Sequence, residues 1–246
     1  MLLTWIIVFS ILGSVGAIIG AALVLTFPAR MRKTLLPGLL SYATGTLLGA
    51  AFLGMIPKGV QQATVLSVSS TVLAGIVLFF LLEKMIIWRH CHDVECEAHG
   101  TAGPLILIGD AFHNFVDGFV IAAAFLTSIP LGIAASLAVI AHEIPQEVGD
   151  FAILLESGYS RMRSLILNML SSLTTLPGAV IAYYFLGETR EAVPYILALS
   201  AASFIYIAVA DLVPSLHRQV GLKAVLTQFV LILAGIGTIA IFQLAH

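Results

Sequence analysis

The side chains able to do chemistry are concentrated in two short stretches. The first holds Asp110, His113, Asn114 and Asp117; the second holds His142, Glu143, Gln146, Glu147 and Asp150. These are helical spacings. At ~100° per residue the first set falls within an arc of about 100° and the second within about 140°. Wound as helices, both stretches present one polar stripe and an apolar back. Imidazole, carboxylate and amide oxygen together form the ligand set of a borderline divalent cation, with zinc the best match. The apolar segments that carry the stripes contain no Lys or Arg to pair with the acids. One charged acid at the centre of a membrane helix costs about 2.5–3.5 kcal/mol, so five would cost on the order of 10 kcal/mol or more if left uncompensated. Compensation must come from protonation, water or bound cations. A bound cation accounts for these residue types better than the alternative, a buried hydrogen-bond network of partly protonated acids.

The elements that hold these stripes follow from composition. The chain has 246 residues, 60% hydrophobic and only 10% charged, against roughly 45–50% and about 25% for a soluble domain. That leaves too little polar surface for a water-soluble globule, and argues against a soluble enzyme or a disordered tail. A net charge of −2 offers no basic field for nucleic acid. Two cysteines, Cys91 and Cys96, are too few for an extracellular disulfide scaffold. About 20 apolar residues cross a bilayer, and such runs are expected near 2–27, 36–57, 67–88, 104–126, 131–156, 164–186, 193–212 and 222–244. The first is no cleaved signal by its length, its lack of a basic start and the spans that follow. Turns are expected at Pro28, Pro37, Pro130, Gly158, Gly187 and Gly221. The reading is an all-α membrane protein, one domain over 1–246, with residues 89–103 as its one substantial loop. Nine Lys and Arg residues fall at the odd-numbered connections and two, Lys58 and Arg190, at the even ones. That bias places the odd loops in the cytoplasm and both termini outside. The connection Thr127–Pro130 is so short that the fourth and fifth spans must be antiparallel neighbours with facing stripes.

At these stripes the sequence resembles a known family. His113-Asn114-Phe115-Val116-Asp117-Gly118 and His142-Glu143-Ile144-Pro145-Gln146-Glu147-Val148-Gly149-Asp150 are similar to the paired signatures of the ZIP (Zrt-, Irt-like protein) divalent-metal transporters. The similarity is closest to the branch whose fifth helix usually reads HExPHExGD. The resemblance implies transport of zinc, and in some members iron, manganese or cadmium, into the cytoplasm. It implies a two-metal site halfway across the membrane. His113, Asn114 and Asp117 would be ligands from the fourth helix, with His142, Glu143, Gln146 and Glu147 opposite; Asp117 and Glu143 would be bridging carboxylates. It also implies a 3+2+3 inverted-repeat bundle, commonly homodimeric. Two departures stand out. Gln146 replaces the usual His, putting the second site and the preference for zinc over a harder ion in question. No long extracellular segment precedes the first span, which suggests a minimal form in a bacterial inner membrane.

Other marks are weaker. Pro145 removes one helical hydrogen bond and frees the Ala141 carbonyl, and Gly118 would admit a close backbone or ion. Gly16-x-x-x-Gly20 and Gly45-x-x-x-Gly49 read as helix packing. Asn168, Ser171, Ser172 and Thr175 read as interhelical hydrogen bonding. Asp211 is either an acid that helps metal on or off, as the resemblance implies, or an interfacial cap. His90, Cys91, His92, Cys96 and His99 suggest a cytoplasmic metal contact, although their spacing fits no closed zinc motif. Two rival functions remain: a metal-selective channel and an intramembrane zinc metallohydrolase. His142-Glu143-x-x-Gln146 nearly spells the HExxH zinc-protease motif but lacks its second histidine. No GxxxxGK[ST] loop supports ATP-driven pumping.

Overall fold

Apolar runs with helical propensity leave the backbone one economical choice in lipid, which is to satisfy every N–H and C=O within its own segment. The computed structural model describes residues 1–88 and 102–244, and over these it is helical, with eight helices long and apolar enough to cross a membrane. They are α1 (Leu2–Thr26), α2 (Ala29–Gln62), α3 (Val65–Trp88), α4 (Ala102–Thr127), α5 (Ile129–Glu156), α6 (Arg161–Glu188), α7 (Arg190–His217) and α8 (Leu222–Leu244). The His- and Cys-bearing loop lies outside the described residues.

The chain reverses where the sequence predicted, with one exception. Gly158 and Gly221 turn with φ of 86° and 122°, a region that favours glycine. Ser128 caps α5 by accepting from the Leu131 N–H at 3.3 Å, with Pro130 in the first turn, where its missing N–H costs nothing. Gly187 is the last residue but one of α6, so the turn follows it directly, whereas Pro37 lies well inside α2. Around Pro37 the side chains of Leu35, Leu36 and Leu39 pack against a buried cluster, and those contacts outweigh the local breaker.

Two features had no sequence signal. Helices α1, α2 and α7 each contain a π turn, at Leu12–Gly16, Ala50–Met55 and Ile207–Leu212. In α2 and α7 a proline follows two residues later, Pro57 and Pro214, so the wide turn coincides with a missing donor. Helix α7 also runs on to His217 rather than stopping near Leu212.

Helix α5 sits centrally, packed on α1, α2 and α4; α4 packs along α6, α2 along α8, and α3 along α7. Small residues fix the tightest crossings. A Cβ on Gly118 would run into the Thr175 carbonyl, and one on Gly178 into the Phe115 carbonyl, so α4 and α6 meet backbone to backbone. Gly45 and Gly235 do the same for α2 and α8. Gly118 therefore admits a neighbouring backbone as expected, but that of α6 rather than α5.

Candidate metal centre

Since α4 ends at Thr127 and α5 begins at Ile129, the two helices are antiparallel and their polar stripes are brought level. Four ligand atoms converge. His113 Nε2 lies 3.1 Å from His142 Nε2, 3.4 Å from Glu143 Oε1 and 3.8 Å from Asp117 Oδ2. His142 Nε2 lies 3.3 Å from the same Asp117 oxygen and 3.6 Å from the same Glu143 oxygen. Four ligands held tetrahedrally at the ~2.0–2.2 Å of zinc–nitrogen and zinc–oxygen bonds would stand ~3.3–3.6 Å apart. The separations, 3.1 to 3.8 Å, bracket that edge length. His142 Nδ1 is 2.9 Å from the Ala138 carbonyl, to which only an N–H can bond. This fixes the tautomer and turns the Nε2 lone pair toward the centre.

Burial sharpens the chemistry. Asp117, His142 and Glu143 are at most 1% exposed, and among the described residues no oxygen of either acid has a hydrogen-bond partner. Such groups are costly unless a cation meets them. His113 alone retains side-chain exposure, 22%.

A second group lies beside the first. Asp110, Glu143 and Glu147 place carboxylate oxygens within 4.8 Å of one another, all buried. Among the described residues both Glu147 oxygens and Asp110 Oδ2 lack hydrogen-bond partners, while Asp110 Oδ1 accepts from Asn114 Nδ2 at 2.9 Å and from Gln146 Nε2 at 3.2 Å. Glu143 belongs to both groups. Asp110 stood on the predicted stripe but outside the seven expected ligands; its place one turn before Asn114 was the available signal. Asn114 and Gln146 are neither of them in the four-atom cluster. The Asn114 carbonyl oxygen faces α6, accepting from the hydroxyls of Thr175 at 3.0 Å and Ser172 at 3.5 Å. Asn168 donates to the Glu147 carbonyl at 3.2 Å. The α6 polar residues thus do what was expected of them: they tie α6 to the stripe helices.

Two cavities reach this centre from the end of the bundle where the odd-numbered connections lie. One, about 230 Å³ between α3, α4 and α7, touches His113 and carries Asp211 at its rim. The other, about 600 Å³ between α1, α5 and α6, touches Glu147. At the opposite end a cavity of about 170 Å³ around Thr127 and Arg190 meets none of the site residues. Buried Ile121, Phe125, Leu131 and Val139 lie between, with Trp5 and Phe9 against Phe125 at centroid distances of 6.3 and 5.4 Å.

Residues 89–243 match the family described as ZIP Zinc transporter. The zinc transporter ZIP13 of Pongo abelii is 33% identical across 98% of this chain and 79% of its own length. The chain belongs to the ZIP zinc transporter family. Human zinc transporter ZIP4 is 44% identical, but over 46% of this chain and 18% of its own much greater length. The zinc transporter zipt-7.2 of Caenorhabditis elegans is 28% identical over 82% of this chain and 57% of its own. Membership in a family of transporters argues against the hydrolase reading, and Gln146 turned toward Asp110 supplies no second zinc imidazole.

Proposed function

We propose that this ZIP protein carries zinc, or a chemically related divalent cation, into the cytoplasm through the centre between α4 and α5. The convergence of His113 Nε2, Asp117 Oδ2, His142 Nε2 and Glu143 Oε1 at tetrahedral-edge separations carries this reading. The oxygen-only group of Asp110, Glu143 and Glu147 is proposed as a second cation position, bridged to the first by Glu143. Its lack of imidazole suits a harder ion or a transient stop.

The finer architecture follows the same reading. A 3+2+3 arrangement is supported by the packing, which keeps its main pairs when α1 is exchanged with α6, α2 with α7, α3 with α8 and α4 with α5. The matching π turns and prolines of α2 and α7 agree with it. The distribution of Lys and Arg supports a cytoplasmic location for the odd connections, and so an orientation open to the cytoplasm and packed shut outside. The ion's gradient and the membrane potential would then drive it inward. A homodimer in a cell membrane completes the proposal, although the relatives named above are all from animals.

The test is flux into sealed vesicles containing a zinc-sensitive dye. The double variant His113→Ala with His142→Ala should lose saturable uptake while inserting normally. Undiminished uptake by a correctly inserted double variant removes the site.

A further inference from the structure

The two cavities that open at the same end have opposite electrostatics. The smaller carries Asp211 and, among the described residues, is lined by no Lys or Arg, which suits a departing cation. The larger has Arg32 and Arg161 at its mouth, on the first turns of α2 and α6. Its wall is apolar, with Leu25 of α1 and Phe151 and Leu155 of α5, and only at its inner end does it meet Glu147 and Asn168. A divalent cation leaving Glu147 this way would have to pass two arginines. Among the described residues, moreover, Arg32 Nε is buried without a hydrogen-bond partner, so the protein does not hold the guanidinium through that atom. At about 600 Å³ the cavity lies within the ~300–1,000 Å³ range of organic-ligand sites. An apolar slot with a cationic rim at the membrane face fits an amphiphile with an anionic head. Basic pockets between helices at the cytoplasmic leaflet, where anionic lipids concentrate, have this character.

We propose that the cavity between α1, α5 and α6 holds one anionic phospholipid, its phosphate between Arg32 and Arg161 and one acyl chain along Leu25, Phe151 and Leu155. Occupied in this way, the slot ties α5 to α1 and α6 and closes the path past Glu147. The cation is left the α3–α4–α7 opening, where His113 and Asp211 lie. Only the choice of leaflet rests on the orientation proposed above.

The test is native mass spectrometry of the purified full chain, offered phosphatidylglycerol or phosphatidylcholine of identical chains without added metal. The wild type should retain phosphatidylglycerol at least about tenfold over phosphatidylcholine. Arg32→Gln with Arg161→Gln should bring the two within about twofold. The control Arg30→Gln with Arg163→Gln removes the same charge from an exposed position and from a residue stacked on the Tyr159 ring, and should keep the preference. Equal loss in both doubles, or none in either, means a diffuse basic belt and overturns the site. Displacement by millimolar inorganic phosphate overturns the lipid, as does equal retention of a free fatty acid. Should the first double fail to fold, Ala152→Phe narrows the slot without touching charge and must cut retention; unchanged retention overturns the proposal. His113→Ala with His142→Ala should leave lipid retention intact, so failure of the transport reading and failure of this one are separable.

Discussion

Glu147→Gln should stabilise the empty protein and weaken its response to zinc, a reversal that few substitutions produce. Glu147 is fully buried, neither carboxylate oxygen has a hydrogen-bond partner, and its neighbours Asp110 and Glu143 lie within 4.8 Å. At an effective dielectric of ~20, two like charges at that separation repel by about 3–4 kcal/mol. Partial protonation relieves much of this, leaving a net relief of about 1–3 kcal/mol on replacing the acid by its neutral isostere. For a chain of this size that corresponds to a rise in Tm of several degrees, at about 2–4 °C per kcal/mol. Zinc offsets this advantage. Each site occupied at a hundred times its Kd contributes about 2.7 kcal/mol, and the variant keeps the proposed site of His113, Asp117, His142 and Glu143 but loses the proposed oxygen-only one. Its zinc-dependent stabilisation should therefore fall short of the wild type's by about 2–3 kcal/mol. Thermal melts in chelator and in saturating zinc, with calorimetry to count bound ions, read both halves. A lower Tm in chelator, or an unreduced ion count, would refute the reasoning.

Three further outcomes follow from the same geometry. Gly118→Ala should cost about 1–3 kcal/mol, since the added methyl meets the α6 backbone, which cannot yield as a side chain end can; Gly237→Ala meets nothing within 4 Å and should leave the melt unchanged or slightly raised. Uptake should weaken as the pH falls from about 7 toward 5, because protons compete for the His nitrogens and carboxylates that must be bare to bind metal; initial rates in vesicles of matched internal pH test the sign. Gln146→His should favour zinc over manganese by adding an imidazole beside Asp110, measured as a ratio of competitive uptake.

The stripes, the antiparallel pairing and most span limits were legible because they rest on periodicity and hydrophobic length, which are local properties of the chain. Asp117, His142 and Glu143 stood out in the sequence because a charged group in lipid has few excuses, and the fold brings these three side chains together. What the sequence could not supply was the choice of partner within a stripe. Asn114 and Asp117 share one face of α4, yet Asn114 is turned by the hydroxyls of Thr175 and Ser172, while Asp117 is left to the imidazoles. That division is made by α6, sixty residues downstream, and α6 can reach Asn114 only because Gly118 and Gly178 let the two backbones touch. The π turns of α2 and α7 were illegible for a related reason: they depend on how a helix accommodates its neighbours, with proline marking the place but not the register. The proposed metal centre is therefore specified twice, by the residue types on α4 and α5 and by the small residues that set how closely a third helix approaches. A substitution at Gly178, which bears no ligand and touches none, should consequently disturb Asn114 and the oxygen-only group before it disturbs the histidines.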